Sequence, residues 1–121
     1  MDQIWIRDLV VPATIGVHDE ERHSVQPLIV NIWMTCDLRP AGRSDRIEET
    51  VNYREVQDEI MKLAEESRDH LLERLAERMA AVCLSHARVA RVRIRLEKPR
   101  ALRHARSAGV EIERSREEAG I

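Results

Sequence analysis

Aromatic side chains are scarce in this chain. Its 121 residues include no phenylalanine, one tyrosine (Tyr53) and two tryptophans (Trp5 and Trp33). A sheet that reads single-stranded RNA stacks bases on aromatic rings. None of the three aromatics lies among the arginines of the segment 91–95, so a non-enzymatic RNA-binding sheet is the weaker alternative. Cysteine is as sparse. Cys36 and Cys83 each sit inside an apolar segment. Two such residues without close spacing read as reduced core thiols of a cytoplasmic protein, not as a disulfide or zinc framework. The sequence has no run of about 18 apolar residues that could span a membrane. It also has no basic stretch leading into an apolar one, as a secretory signal would. Neither sign of charge dominates: 20 Lys and Arg against 22 Asp and Glu give a net charge of −2. That balance implies a mixed polar surface and argues against nucleic acid as a partner.

What is present is a regular alternation of patterns. The length suits one domain, residues 1–121, with one modest core, and residues 115–121 read as a frayed tail. Ile4-Trp5-Ile6-Arg7 alternates apolar and polar, and Leu9-Val10-Val11 continues it until Pro12 confines the strand to an edge or a bulge. Val17 to Ser24 reads as a polar loop. Leu28 to Cys36 is a second strand, with Leu28, Val30, Ile32, Met34 and Cys36 on one face and Asn31 and Trp33 on the other. These two strands form an antiparallel hairpin of unspecified register.

Pro40, Gly42 and Ser44 mark a linking loop. A helix follows from Tyr53 to about Glu66, with Val56, Ile60, Leu63 and Ala64 at helical spacing. A second helix runs from about His70 to His86, capped by Asp69, with Leu72, Leu75, Ala76, Met79 and Cys83 as its apolar stripe. Val89 to Glu97 is a strand that sets Val92, Ile94 and Leu96 against Arg91, Arg93, Arg95 and Glu97. Ala108 to Arg114 is the last strand. The order is ββααββ: an α+β domain with a four-stranded antiparallel sheet and two helices on one face. The other face is long, polar and flat, and an open sheet of this kind points to a homo-oligomer whose protomers close a barrel.

Val51-Asn52-Tyr53-Arg54-Glu55 marks the start of the first helix. Asn52 is the N-cap, Glu55 stands where a capping box needs it, and Tyr53 falls at the first helical position. On local spacing alone Tyr53 reads as a packing tyrosine with a wet hydroxyl. Glu73 reads as a carboxylate placed near a helix N-terminus by the helix dipole, Lys98 as an exposed lysine ending a strand, and Glu21 as one of three acids in a loop.

Five segments together resemble the dihydroneopterin aldolase family. They are Thr14-Ile15-Gly16-Val17-His18-Asp19-Glu20-Glu21; Ala41-Gly42-Arg43-Ser44-Asp45 with Thr50-Val51-Asn52-Tyr53; Leu71-Leu72-Glu73-Arg74-Leu75-Ala76-Glu77; Leu96-Glu97-Lys98-Pro99; and Gly109-Val110-Glu111-Ile112-Glu113-Arg114. They occur in the family's order and cover nearly the whole chain. The resemblance implies the tunnelling fold, with four protomers closing a barrel, two rings stacking into an octamer, and active sites between neighbours. It implies retro-aldol cleavage of 7,8-dihydroneopterin without Schiff base, metal or cofactor. By that resemblance Glu73 holds the pterin's amino edge, together with Leu72, Val51 and Asn52. Lys98 moves protons through a bound water, Glu21 lies near Lys98 and the substrate side chain, and Tyr53 of a neighbouring protomer assists protonation of the enamine.

The segment Ala101-Leu102-Arg103-His104-Ala105-Arg106-Ser107 resembles the related branch that epimerises 7,8-dihydroneopterin triphosphate, and Arg100, Arg103 and Arg106 could attract phosphate. His18 and His23 share one loop, but without a third ligand they do not make a metal site.

Overall fold

The computed structural model describes residues 1–117. Four strands form one antiparallel sheet in the order β1-β2-β3-β4: Asp2–Ala13, Gln26–Cys36, Arg91–Lys98 and Ala108–Ser115. Two longer helices cover one face, α3 (Tyr53–Glu66) over β1 and α4 (Leu72–Leu84) over β3 and β4. The expected ββααββ order and face assignment hold.

The core lies between that face and the helices. Leu28, Val30, Ile32 and Met34 of β2, and Val92, Ile94 and Leu96 of β3, are fully buried against Val56 and Ile60 of α3 and Leu75 and Met79 of α4. Each such side chain contributes roughly 1.5–3 kcal/mol by leaving water. Slipping a strand by one residue would exchange Ile32 for Asn31 or Trp33, so burial fixes the register.

β1 departs from simple alternation at one place. Ile6 pairs with Ile32 and Leu9 with Val30, so Arg7 and Asp8 together face Asn31 in a β-bulge. Asp8 has φ 55°, a left-handed conformation that Asp tolerates when its polar groups are satisfied locally. Here the Asp8 N–H donates to Asn31 Oδ1 at 2.8 Å, and Asn31 Nδ2 donates back to Asp8 Oδ1 at 3.3 Å. Pro12 is accommodated because β1 is an edge strand. It pairs with Pro27, which lies beyond the β2–β3 ladder that begins at Ile29.

Several expectations are corrected. The loops 17–24 and 41–50 each contain short helices: α1 (Asp19–Arg22), α2 (Arg39–Ser44) and a 3₁₀ turn (Ile47–Glu49). Asn52 caps α3 as expected, accepting from the N–H groups of Arg54 (3.1 Å) and Glu55 (3.3 Å), while Glu55 makes no return bond among the described residues. Asp69 does not cap α4, which begins at Leu72 with no side-chain cap. Its carboxylate is taken instead by Arg78 at 2.9 Å, with Arg74 at 3.9 Å.

α4 also ends before His86, whose ring meets Glu59 of α3 at 2.7 Å. Ser115 and Arg116, expected in the tail, are held in place. Ser115 is in β4, and the Arg116 guanidinium donates to the carbonyls of Leu84, His86 and Val89, tying the chain's end to the C-terminus of α4. Residues 118–121 of the expected tail lie outside the described residues.

On the uncovered face, Arg91 pairs with Glu113 at 3.1 Å and Arg93 approaches Glu111 at 3.9 Å. The arginine and glutamate rows therefore meet as the pattern predicts, along the diagonals of the ladder.

Candidate active site

Lys98 closes β3, and its parity decides its surroundings. It shares the face of Val92, Ile94 and Leu96, so its side chain runs under the helix layer and is only 8% exposed. An exposed lysine at a strand end is thus not what the fold makes. A buried ammonium needs a partner, and Glu21 supplies it: Lys98 Nζ donates to Glu21 Oε2 in a short contact across 77 residues of sequence.

The other Glu21 oxygen, Oε1, accepts the His18 N–H at 3.3 Å and closes the single turn of α1. Glu21's pKa is lowered. The largest cause is the Lys98 hydrogen bond, burial opposes it, and the His18 N–H and the nearby positive charge add to the lowering. The pair is therefore a carboxylate beside an ammonium.

Gly16 backs this pair. Its φ is +139°, and a Cβ there would fall 2.7 Å from Glu21 Cβ and closer still to the carboxylate. Only glycine lets the backbone pass at that distance in that conformation.

The start of α4 borders the pair, because α4 leads through a short turn into β3 and runs antiparallel to it. Its first residues, Leu72 and Glu73, therefore stand at the Lys98 end. Arg22 makes the link explicit, donating to Gly16 O (3.3 Å), Arg68 O (2.9 Å) and His70 Nδ1 (3.2 Å). Glu73 is exposed in the first turn, and no side chain caps the helix there, so a carboxylate and open N–H groups face the same edge. Among the described residues, one region thus offers a cation, a held carboxylate, an exposed carboxylate and a helix start without a side-chain cap. That set can orient a planar molecule with a donor edge and move protons at its far end.

Val51, Asn52 and Tyr53 are elsewhere. Tyr53 is 63% exposed at the mouth of α3 and shares a shallow cleft with Trp5 and Ile6. Trp5 pairs with Trp33, and Trp33 with Arg93. Lys98 lies five residues farther along β3, roughly 16 Å at a strand's rise. Within one protomer the fold brings Glu21, Lys98, Leu72 and Glu73 to one end and leaves Val51, Asn52 and Tyr53 at the other. Val51 is buried under α3, and Asn52 is occupied as its cap.

A groove of about 640 Å³ on the opposite, uncovered sheet face is lined by Trp5, Asn31, Trp33, Arg95, Glu97 and Arg106, among others. Alternation along β3 turns Glu97 into it and Lys98 away from it, so the groove is separate from the pair. The Arg93 guanidinium lies 4.1 Å over the Trp33 ring and occupies the aromatic surface on which a base would stack. His18 and His23 flank α1 at its two caps.

Sequence reasoning gave no role to Gly16 or Arg22. Gly16 lay inside a motif already noted. Arg22's contacts span 46 and 48 residues and leave no local signal.

One antiparallel four-stranded sheet with two helices on a single face is the layout of a tunnelling-fold domain. The family model described as dihydroneopterin aldolase matches residues 4–113, and the chain belongs to that family. The dihydroneopterin aldolase of Escherichia coli (strain K12) is 38% identical over 114 residues, 94% of this chain and 93% of that protein. The crystal structure of E. coli dihydroneopterin aldolase in complex with neopterin superposes with a TM-score of 0.91 at 37% identity, covering 95% of this chain and all of that one. The folic acid synthesis protein FOL1 of Dictyostelium discoideum is 36% identical over 115 residues. These are 95% of this chain, and the chain spans 18% of that protein's length.

Proposed function

We propose that this chain is a carbon–carbon lyase of folate synthesis, cleaving the C1′–C2′ bond of 7,8-dihydroneopterin. The products are 6-hydroxymethyl-7,8-dihydropterin and glycolaldehyde. The observation that carries this reading is the buried Lys98 paired with Glu21 beside the uncapped start of α4 with its exposed Glu73.

The chemistry asks for those groups. The proton of the C2′ hydroxyl leaves, through water, as the C1′–C2′ bond breaks and C2′ becomes the aldehyde carbon. The bond's electrons form a C1′=C6 double bond while the C6=N5 pair moves to N5, which takes up a proton to give an enamine and releases it in the next step. A proton delivered to C1′ restores the N5=C6 bond and gives the hydroxymethyl product. The pterin is its own electron sink, so the side chains need only hold the ring and move protons.

Glu73 accepts from the ring's amino and N–H edge in a bidentate, charge-assisted pair, with Leu72 at its side. Lys98 passes protons to and from the side-chain oxygen, and Glu21 keeps that side chain aimed. Tyr53, Val51 and Asn52 belong to the same site only if a neighbouring protomer brings them. The working unit in this reading is therefore a homo-oligomer, a ring of four or two stacked rings.

Incubating the pure protein with 7,8-dihydroneopterin and separating the products tests the reading. Hydroxymethyldihydropterin and glycolaldehyde are expected in equal amounts, and intact substrate after many enzyme equivalents of time would reject it.

The competing reading is the epimerase, which cleaves the same bond of the triphosphate and re-adds glycolaldehyde with inverted configuration. One observation favours it: Arg100, Arg103 and Arg106 are all exposed on the loop that directly follows Lys98. The same incubation with the triphosphate decides, since inverted triphosphate in excess of cleaved product would make the epimerase the main activity.

A further inference from the structure

We propose that Arg22 is a positioning residue for this reaction. Its guanidinium sets the distance between the Glu21–Lys98 pair, which works on the side chain, and the start of α4, which holds the ring. The inference rests on the function proposed above.

α1 is a single turn of four residues, far below the length at which a helix supports itself. Its place must be imposed from outside. Lys98 holds it from β3 through Glu21. Arg22, the next residue, holds it from the other side with bonds to three acceptors on two segments. One is Gly16 O, directly behind the Glu21 carboxylate. The others are Arg68 O and His70 Nδ1, in the loop that enters α4.

Arginine has no acceptor. In the contact with His70 Nδ1, Arg22 is therefore the donor.

The loop 67–71 is itself tied to its surroundings. Ser67, buried, accepts the Asp69 N–H at 3.1 Å, and Arg78 of α4 grips Asp69 at 2.9 Å. Arg22 thus ties α1 to that loop, and no other side chain of α1 reaches it among the described contacts. A planar fork with several fixed acceptors transmits position in a way that one flexible ion pair does not.

The consequence is specific to a substrate held at one end and broken at the other. A rigid ring anchored by Glu73 brings its side chain to Lys98 only when the spacing is right, and an error near 1 Å costs about 10²-fold in rate. Loss of the tie should leave each half able to bind what it binds and spoil their registration.

Arg22→Ala is expected to lower kcat on 7,8-dihydroneopterin by roughly 10–10²-fold. Its affinity for a pterin base lacking the side chain should stay within about threefold. Arg22→Lys keeps the charge without the fork and should recover only part of the rate. It also carries the test if the alanine variant does not fold. His70→Ala removes one of three acceptors and should cost less than either.

Amide hydrogen exchange on the unliganded protein supplies a readout that needs no substrate: residues 18–22 and 68–71 should exchange faster together in Arg22→Ala while β3 is unchanged. Wild-type kcat in Arg22→Ala overturns the proposal. So does a loss of base affinity in step with kcat, or faster exchange in one segment alone. Failure of wild-type protein to cleave dihydroneopterin would reject the function and leave the exchange result to judge the tie by itself.

Discussion

At the scale of residues, Lys98 and Glu21 matter through each other. Removing the ammonium leaves a partly buried carboxylate without its main partner, and removing the carboxylate leaves a buried cation. Because Lys98 chiefly sets the lowering of Glu21's pKa, the pair links stability to pH in a definite direction. A carboxyl with a lower pKa in the folded than in the unfolded state stabilises the fold above its ordinary range, near about 4.3, and that contribution fades as pH falls through the lowered value. The urea midpoint of wild type should therefore exceed that of Glu21→Gln near neutrality, and the gap should close as the solution is taken well below the ordinary carboxylate range. A gap of constant size at every pH would mean that the pair does not hold in solution. Catalysis makes a separate demand on Lys98. Lys98→Ala should lower kcat by roughly 10²–10⁴, the range for a positioned acid–base group. The affinity for a pterin base should move far less, as expected of a contact made mainly in the transition state. Single-turnover rates beside equilibrium titration separate the two, and wild-type turnover in Lys98→Ala would remove Lys98 from the mechanism.

At the scale of elements, what could be read from sequence depended on how far each interaction reaches. The strands β2 and β3 and the helix α3 were legible because their burial repeats every two or 3.6 residues and their neighbours agree. The cap of α3 was legible because Asn52 acts within three residues. Asn52→Ala should accordingly lower stability by about 1 kcal/mol, seen as a drop in melting temperature with little change in activity per folded site if the cap is its main duty. A larger loss of activity than of stability would assign Asn52 to the site as well. The start of α4 was misread for the opposite reason. Asp69 offers a cap locally, but Arg78, nine residues on, claims its carboxylate, and only packing reveals that. The short helices α1 and α2 escaped because single turns carry no period and owe their shape to contacts elsewhere. The bulge at Asp8 hid the β1–β2 register, since it changes parity mid-strand. In the site, Lys98 was misread as exposed because the strand was ended at Glu97; one residue more puts it in parity with Leu96 and Ile94, and its partner stands 77 residues away. No local spacing reports such a contact. The resemblance of the motifs put Glu21 beside Lys98; the physics of the segments alone did not.

At the scale of the whole molecule, one protomer keeps the two groups of proposed site residues apart. Lys98, Glu21 and Glu73 gather where β3 ends, while Tyr53 stands near the Trp5 row, roughly 16 Å back along the strand direction. Among the described residues the sheet ends at β1 and β4, and it has a polar face with its own ion pairs. Such a sheet can continue into the next copy without burying unpaired charge. If neighbours supply Tyr53 to Lys98, two defective chains should repair each other. A Lys98→Ala chain and a Tyr53→Ala chain, each nearly inactive alone, should regain activity after being unfolded together and refolded. In a random equal mixture about a quarter of the sites would carry both intact residues, one from each side of an interface. Activity should then approach that fraction of wild type, and light scattering should give a ring-sized particle throughout. Mixtures that remain as inactive as their parents, although the particles contain both chains, would place Tyr53 and Lys98 in separate roles and end the shared-site reading. Full activity in a stable monomer would end it more simply, because no second chain would then be present to bring the tyrosine.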